Sequence, residues 1–311
     1  MRRLLVLILA AGCDSPAPAL QDAYVPLDAP AREGAGPGGG LLPALAFAVV
    51  GDTRPANLDD TAGYPTDIIR ELWREVAGEQ PRPLFAVTTG DYIFASTSGA
   101  EVDPQYDLYL AARGEYDGIV YPAMGNHECN GYTASNCGPG GTTGSPPNYT
   151  KFITRFLSPI GEARPYYIER FAASDGSWSA KLVFVAANAW TAAQAAWLDT
   201  VLGEPTTYTF VVRHEQHDAD TAPGVGPSAT ILAKHPLTML IVGHSHTYRH
   251  VPAYREIIVG NGGAPLTSAV NYGYVLVTRQ PDGTIAVSSR EYMTRAEIDA
   301  FRVDADGVAA P

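Results

Sequence analysis

An α/β fold is predicted for this chain of 311 residues, and three observations predict it. Apolar runs of strand length recur from residue 45 to residue 242. Stretches with a helical apolar face lie between them. Hydrophobic residues make up 46% of the sequence, enough to bury a core.

The elements run in this order. Met1-Arg2-Arg3 is basic, and Leu4 to Ala11 is an apolar run too short to span a bilayer, which reads as a signal segment. It ends in Leu9-Ala10-Ala11-Gly12-Cys13, which resembles a bacterial lipobox with Ala10 where Leu is preferred. Residues 1–12 are therefore expected to be a lipoprotein signal peptide, with Cys13 lipidated and the chain exported to a periplasmic or cell-surface membrane face. Residues 13–43 are rich in Pro, Ala and Gly and read as a flexible tether. Residues 44–311 form one folded domain, since neither a repeat nor a second linker is visible.

Within that domain, Leu45–Val50, Leu84–Thr88, Ile119–Ala123, Lys181–Ala187, Tyr208–Val212 and Met239–Val242 read as strands. Asp67–Val76 and Ala192–Leu202 read as amphipathic helices, with Leu72, Trp73 and Val76, then Ala196, Trp197 and Val201, on their apolar faces. Tyr274–Thr278 and Thr284–Ser288 flank Pro281-Asp282-Gly283 and form a hairpin. Gly138 to Pro147 reads as a loop. Cys129 and Cys137 are expected to pair in an exported chain.

The strands end in polar side chains. Asp52, Asp91, Asn126 with His127, His214, and His244 with His246 each follow an apolar run, four of the five through a glycine. Sites in open α/β sheets form at the carboxyl ends of strands, so these groups converge on one edge. The donors are oxygen and nitrogen with no thiolate, a set suited to Mn, Fe or Zn. A net charge of −12 without a basic cluster excludes a nucleic-acid backbone reader. A metallopeptidase helix of the H-E-x-x-H type is absent; His214-Glu215-Gln216-His217 has the wrong spacing.

Together, Asp52-Thr53-Arg54, Gly90-Asp91, Gly125-Asn126-His127-Glu128, His214 and Gly243-His244-Ser245-His246 resemble the calcineurin-like metallophosphoesterase superfamily. Gln194–Leu198 and Gly260-Asn261-Gly262-Gly263 resemble it as well. The resemblance implies a four-layer sandwich of two mixed β-sheets flanked by helices. It implies two divalent or trivalent metal ions bridged by Asp91, with Asn126, His214 and His244 on one and Asp52 and His246 on the other. His127 would sit above the site and protonate the leaving oxygen, or stabilise charge on it, while an activated water attacks phosphorus in line. The substrate would be a small phosphate ester, and the protein a monomer tethered through Cys13. One residue departs: Arg54 stands where the family has a ligand histidine, and Phe94 stands where a purple acid phosphatase branch supplies a substitute tyrosine. Tyr92 is a weak candidate to compensate. Arg54 is expected to clamp phosphate through its planar fork, or else to pair with Asp59 or Asp60 on the surface. The competing function is a non-catalytic, metal-stabilised binding lipoprotein. His217 and His250 read as solvated loop residues and His235 as structural.

Overall fold

A computed structural model of the chain describes residues 32–129, 137 and 146–310. The signal segment, Cys13 and the tether up to residue 31 lie outside the described residues, as does most of the Gly138–Pro147 loop.

Thirteen strands are described: β1 (Gly39–Leu42), β2 (Ala46–Val50), β3 (Phe85–Thr88), β4 (Val120–Pro122), β5 (Tyr167–Ala173), β6 (Ser179–Val185), β7 (Tyr208–Arg213), β8 (Met239–Val242), β9 (Tyr248–Val251), β10 (Glu256–Val259), β11 (Gly273–Arg279), β12 (Ile285–Glu291) and β13 (Glu297–Val303). The α-helices are α1 (Thr66–Ala77), α2 (Val102–Arg113), α3 (Pro146–Phe152), α4 (Ala192–Leu202) and α5 (Val225–Leu232). The strands form two mixed sheets, ordered β1-β5-β6-β7-β8-β10-β9 and β13-β12-β11-β2-β3-β4. This is the expected architecture of two mixed sheets flanked by helices.

Strand composition follows from burial on both faces. Leu182, Phe184, Phe210, Val212 and Ile241 turn inward to the core between the sheets, while Val183, Val185, Val211, Leu240 and Val242 turn outward beneath α4 and α5. Aromatic pairs join the sheets: Phe47 meets Phe210 at 5.4 Å between ring centroids, and Phe85 stacks on Phe171 at 4.6 Å. On the other sheet α1 buries Ile69, Leu72, Trp73 and Val76.

β2, β3 and β4 are parallel neighbours in one sheet, and β7 and β8 in the other. Their carboxyl ends carry the predicted polar residues, so pairing alone brings the groups of each sheet side by side. The tether boundary is corrected. Residues 39–42 are the edge strand β1, parallel to β5, with Gly39 opposite Arg170. A Cβ on Gly39 would lie 1.7 Å from the Arg170 carbonyl oxygen, so the glycine that made this segment read as linker is what lets it dock.

Candidate metal centre

The sharp turns that carry the site are paid for in backbone conformation. Asp52, Asp91, His244 and His246 all have positive φ, of 56°, 58°, 69° and 45°. Each such non-glycine residue costs on the order of 1–2 kcal/mol, and this persists only where surrounding bonds over-determine it. Here they do. Asp52 N donates to the Gly90 carbonyl (3.2 Å), Thr53 N to the Asp91 carbonyl (3.0 Å) and Ala264 N to the Asp52 carbonyl (2.8 Å). Gly262 N donates to the Gly51 carbonyl at 2.7 Å, which gives the Gly260–Gly263 segment its place. Gly125 has no room for a side chain: a Cβ there would lie 2.2 Å from Asp91 Oδ1.

Two donor groups result. Asp91, His214 and His244 form one triad, and Asp52, Asp91 and His246 form a second; in each, the ligand atoms lie within 4.8 Å of one another. Asp91 belongs to both. Asn126 joins the first, with Oδ1 3.0 Å from His214 Nε2 and 3.0 Å from His244 Nδ1. Remaining ring nitrogens are tied elsewhere and fix the ring orientations. His214 Nδ1 meets the Thr89 carbonyl at 2.7 Å, His246 Nδ1 the Pro265 carbonyl at 2.8 Å, and His244 Nε2 the Thr221 hydroxyl at 3.3 Å. The structure thus brings all six predicted ligand residues together. Two carboxylates, three imidazoles and an amide oxygen, converging without a thiolate, fit a pair of hard-to-borderline cations.

Burial and mutual charge perturb these groups strongly. Asp52 is fully buried, and burial pushes its carboxyl up to about 8. Asp91 is equally buried, yet the neighbouring His214, His127 and Arg54 hold it well below the usual carboxylate range. Burial lowers His244 to about 4, with His214 adding to the effect. His214 shifts the other way: burial opposes its charge, but Asp91 and Asp52 beside it hold it well above the ordinary imidazole range.

His127 and Arg54 stand beside these triads. His127 Nε2 is 3.7 Å from Asp91 Oδ2, and its buried Nδ1 has no hydrogen-bond partner among the described residues. Burial drives its pKa down to about 3; Asp91 opposes this and Arg54 adds to it. Arg54 Nε is 3.8 Å from Asp91 Oδ2, and Nη1 donates to the Pro55 carbonyl at 2.9 Å. Pairing with Asp59 or Asp60 does not occur: Asp59 accepts from Ser96 N, and Asp60 from Gly63 N and Asn57. Phe94 holds both neighbours, with the Arg54 guanidinium 4.8 Å over its ring and His127 edge-on at 4.7 Å. Tyr92 points away, its hydroxyl bonded to Thr88 (2.6 Å) and the Ala123 carbonyl (3.0 Å).

Sequence reasoning gave no role to Glu128. It is fully buried and accepts from the backbone N–H groups of Asp91, Tyr92 and Gly125, at 2.9, 2.9 and 2.8 Å. One carboxylate therefore clamps the β3 and β4 turns together; its place in the Gly125–Glu128 motif was the available signal. Cys129 and Cys137 form the expected disulfide. Cys137 N donates to the Asn188 carbonyl at 2.8 Å, and the Asn188 side chain bonds Glu215, which follows His214.

The other histidines divide. His235 bonds Asp199 at 2.8 Å, as a structural residue should. His217 and His250 are corrected. His217 stacks on Tyr254 at 3.5 Å and bonds Glu256 at 2.7 Å, and His250 lies in β9 against Phe301 at 3.5 Å. A histidine's flat ring packs on an aromatic as readily as it meets water.

Residues 45–248 match the family model described as calcineurin-like phosphoesterase. By sequence, no curated protein matches the chain. Among solved structures, the chain is similar in fold to GAP50, described as the anchor in the inner membrane complex of Plasmodium (TM-score 0.64, 12% identity, covering 85% of this chain and 90% of that one). It is also similar to purple acid phosphatase PPD1 from yellow lupin seeds (TM-score 0.62, 14% identity, 84% of this chain). This chain spans about half, 54%, of the lupin protein.

Proposed function

The chain belongs to the calcineurin-like phosphoesterase family, and from that premise we propose that it hydrolyses small phosphate esters with two bound metal ions. The observation that carries the reading is the pair of donor triads sharing Asp91, with His127 and Arg54 beside them. Asn126, His214 and His244 would hold one ion, Asp52 and His246 the other, and Asp91 both. When bound, such ions would lower the pKa of a water and neutralise charge on the phosphoryl group.

The chain's own residues supply the rest. Arg54 offers a planar fork at the same edge as Asp91, placed to bind phosphoryl oxygens through charge-assisted bonds. His127 Nδ1 has no partner among the described residues, and Nε2 faces the site, where it would pass a proton to the departing oxygen. An anionic substrate beside it supplies the opposite charge that burial withholds. Phe94 keeps both side chains in place.

A second reading is a binding protein on the same fold, favoured by Arg54 standing in a ligand's position and by the fold likeness to an anchor protein. His127 argues for the enzyme, since a binder has no use for a proton donor there. Elemental analysis, combined with hydrolysis of generic phosphomonoesters and phosphodiesters before and after chelation, separates the two. Metal-restored turnover supports the enzyme; bound metal with no turnover supports the binder.

We also propose export, with residues 1–12 removed and lipid on Cys13. Support comes from the Leu9–Cys13 motif and the disulfide, which suits an oxidising compartment. No helix among the described residues is long and apolar enough to cross a membrane. Mass analysis of the mature N-terminus tests the assignment; an unmodified Cys13 would refute it.

A further inference from the structure

A cavity of about 590 Å³ lies between α5, the starts of β8 and β10, and the last strand β13. That volume falls in the roughly 300–1,000 Å³ range of small-molecule sites. None of Asp52, Arg54, Asp91, Asn126, His127 or His214 lines it, nor do His244 and His246. Its outer wall, from Phe301 to Ala309, lies beyond the residues that match the family.

Two features of its lining point to one chemistry. Much of the wall is hydrocarbon, from Leu232, Leu237, Ile257, Val303 and Val308. The rest is polar: three arginines, Arg213, Arg255 and Arg302, stand with His217, His235 and His250 and a single acid, Glu256. In a chain of net charge −12, three arginines to one acid is out of proportion. Glu256 is already engaged, both oxygens accepting from His217, through N at 2.8 Å and Nδ1 at 2.7 Å. Two of these side chains have partners as well: Arg302 lies 3.6 Å from the half-exposed Asp282, and His235 bonds Asp199.

Arg213 is the innermost of these groups and is fully buried. Its Nε donates to the Glu215 carbonyl (2.8 Å), and its Nη1 to the Val225 carbonyl (3.2 Å) and Ser228 Oγ (2.8 Å). Its Nη2 has no hydrogen-bond partner among the described residues. That atom has almost no accessible surface, and Glu215 and Glu256 balance the charge, so Arg213 anchors the wall and the charge a ligand can reach is that of Arg255 and Arg302.

We propose that this cavity is a second ligand site, and that it takes a small carboxylic acid with a hydrocarbon body. The exposed rim arginines Arg255 and Arg302 meet the carboxylate, and the body lies along the aliphatic wall. Inorganic phosphate fits less well, because it would leave that wall facing an ion. The site is separate from the metal centre but only one peptide from it, since Arg213 precedes His214.

Calorimetric titration of the full chain with decanoate, and with 1-decanol as its uncharged counterpart, tests the assignment. Saturable 1:1 binding of decanoate is expected, at least about tenfold tighter than decanol. Treatment with a chelator should leave it unchanged. Ala229→Trp, which adds bulk at the cavity wall, should weaken it at least about tenfold without altering the melting temperature. Reversing the rim charges with Arg255→Glu and Arg302→Glu should weaken decanoate and spare decanol. The proposal is overturned if no binding is seen, or if decanol binds as well as decanoate. Loss of binding on chelation, or unchanged affinity in Ala229→Trp, would equally overturn it by placing the acid elsewhere.

Discussion

His127 and Arg54 occupy neighbouring positions but make separable predictions. His127 belongs to neither donor triad, so His127→Ala should keep the metal content and lose about 10²–10⁴-fold in turnover, the usual cost of a missing general acid. Substrates with good leaving groups should lose less. Metal analysis and a leaving-group series check both points, and a metal-depleted variant would contradict the role. Arg54→Ala should raise KM and the inhibition constant of free phosphate by about 10–100-fold, the worth of a hydrogen bond to a charged group. Arg54→Lys should recover part of this, lacking the fork. Arg54→His should act differently, tightening the ion held by Asp52 and His246, which metal titration measures. The site was legible at this scale because each ligand follows an apolar run in sequence. Glu128, Phe94 and Thr221 were not, because their roles lie in contacts across turns that no spacing reveals. Glu128 reaches the Asp91 and Tyr92 amides from 37 and 36 residues away.

At the scale of elements, legibility followed burial. β2, β3, β7 and β8 are apolar on both faces and were found within a residue or two of their ends. β5 was missed because Glu169 and Arg170 interrupt it, and β1 because glycine dominates it. β13 was missed because its residues are mostly exposed and polar. The reason β5 was hard to see is also a testable property. Glu169 is fully buried, and burial pushes its pKa well above the ordinary value. Nearby Glu162 is pushed up to about 7, also by burial. A carboxyl raised in the folded state favours folding while it stays protonated. Stability should therefore fall as pH rises from the ordinary glutamate value of 4.5 through about 7 for Glu162, and higher for Glu169. Thermal melts from pH 5 to 8 should show this decline. Glu169→Gln should flatten its upper part and raise Tm at pH 8 by a few degrees, since about 1 kcal/mol moves Tm by about 2–4 °C in domains of roughly this size. A variant that melts lower at pH 8, or keeps the full slope, would show that Glu169 does not carry the effect.

Across the whole molecule, the two sheets are joined by an apolar core and, at one edge, by the donor triads. The six-stranded sheet contributes Asp52, Asp91 and Asn126 to that edge, and the seven-stranded sheet contributes His214, His244 and His246. Each triad draws on both sheets, so an ion in either one ties them together. Ions that bind the folded chain alone stabilise it by mass action, by about 2.7 kcal/mol per site at a hundredfold excess over Kd. Filling one site should therefore raise Tm by about 5–10 °C, and chelation should reverse the change. Asp91→Ala removes the one carboxylate common to both triads and should abolish most of the shift; it should also lower the metal-free Tm, since it leaves the buried His214 and the His127 N–H without their acceptor. Asp52→Ala touches only the second triad and should remove only part of the shift. Calorimetric melts of the three proteins across a Mn, Fe or Zn titration decide the matter. An Asp91→Ala protein that gains as much stability from metal as the parent would mean that the ions bind elsewhere, and the two-triad reading would fall with it.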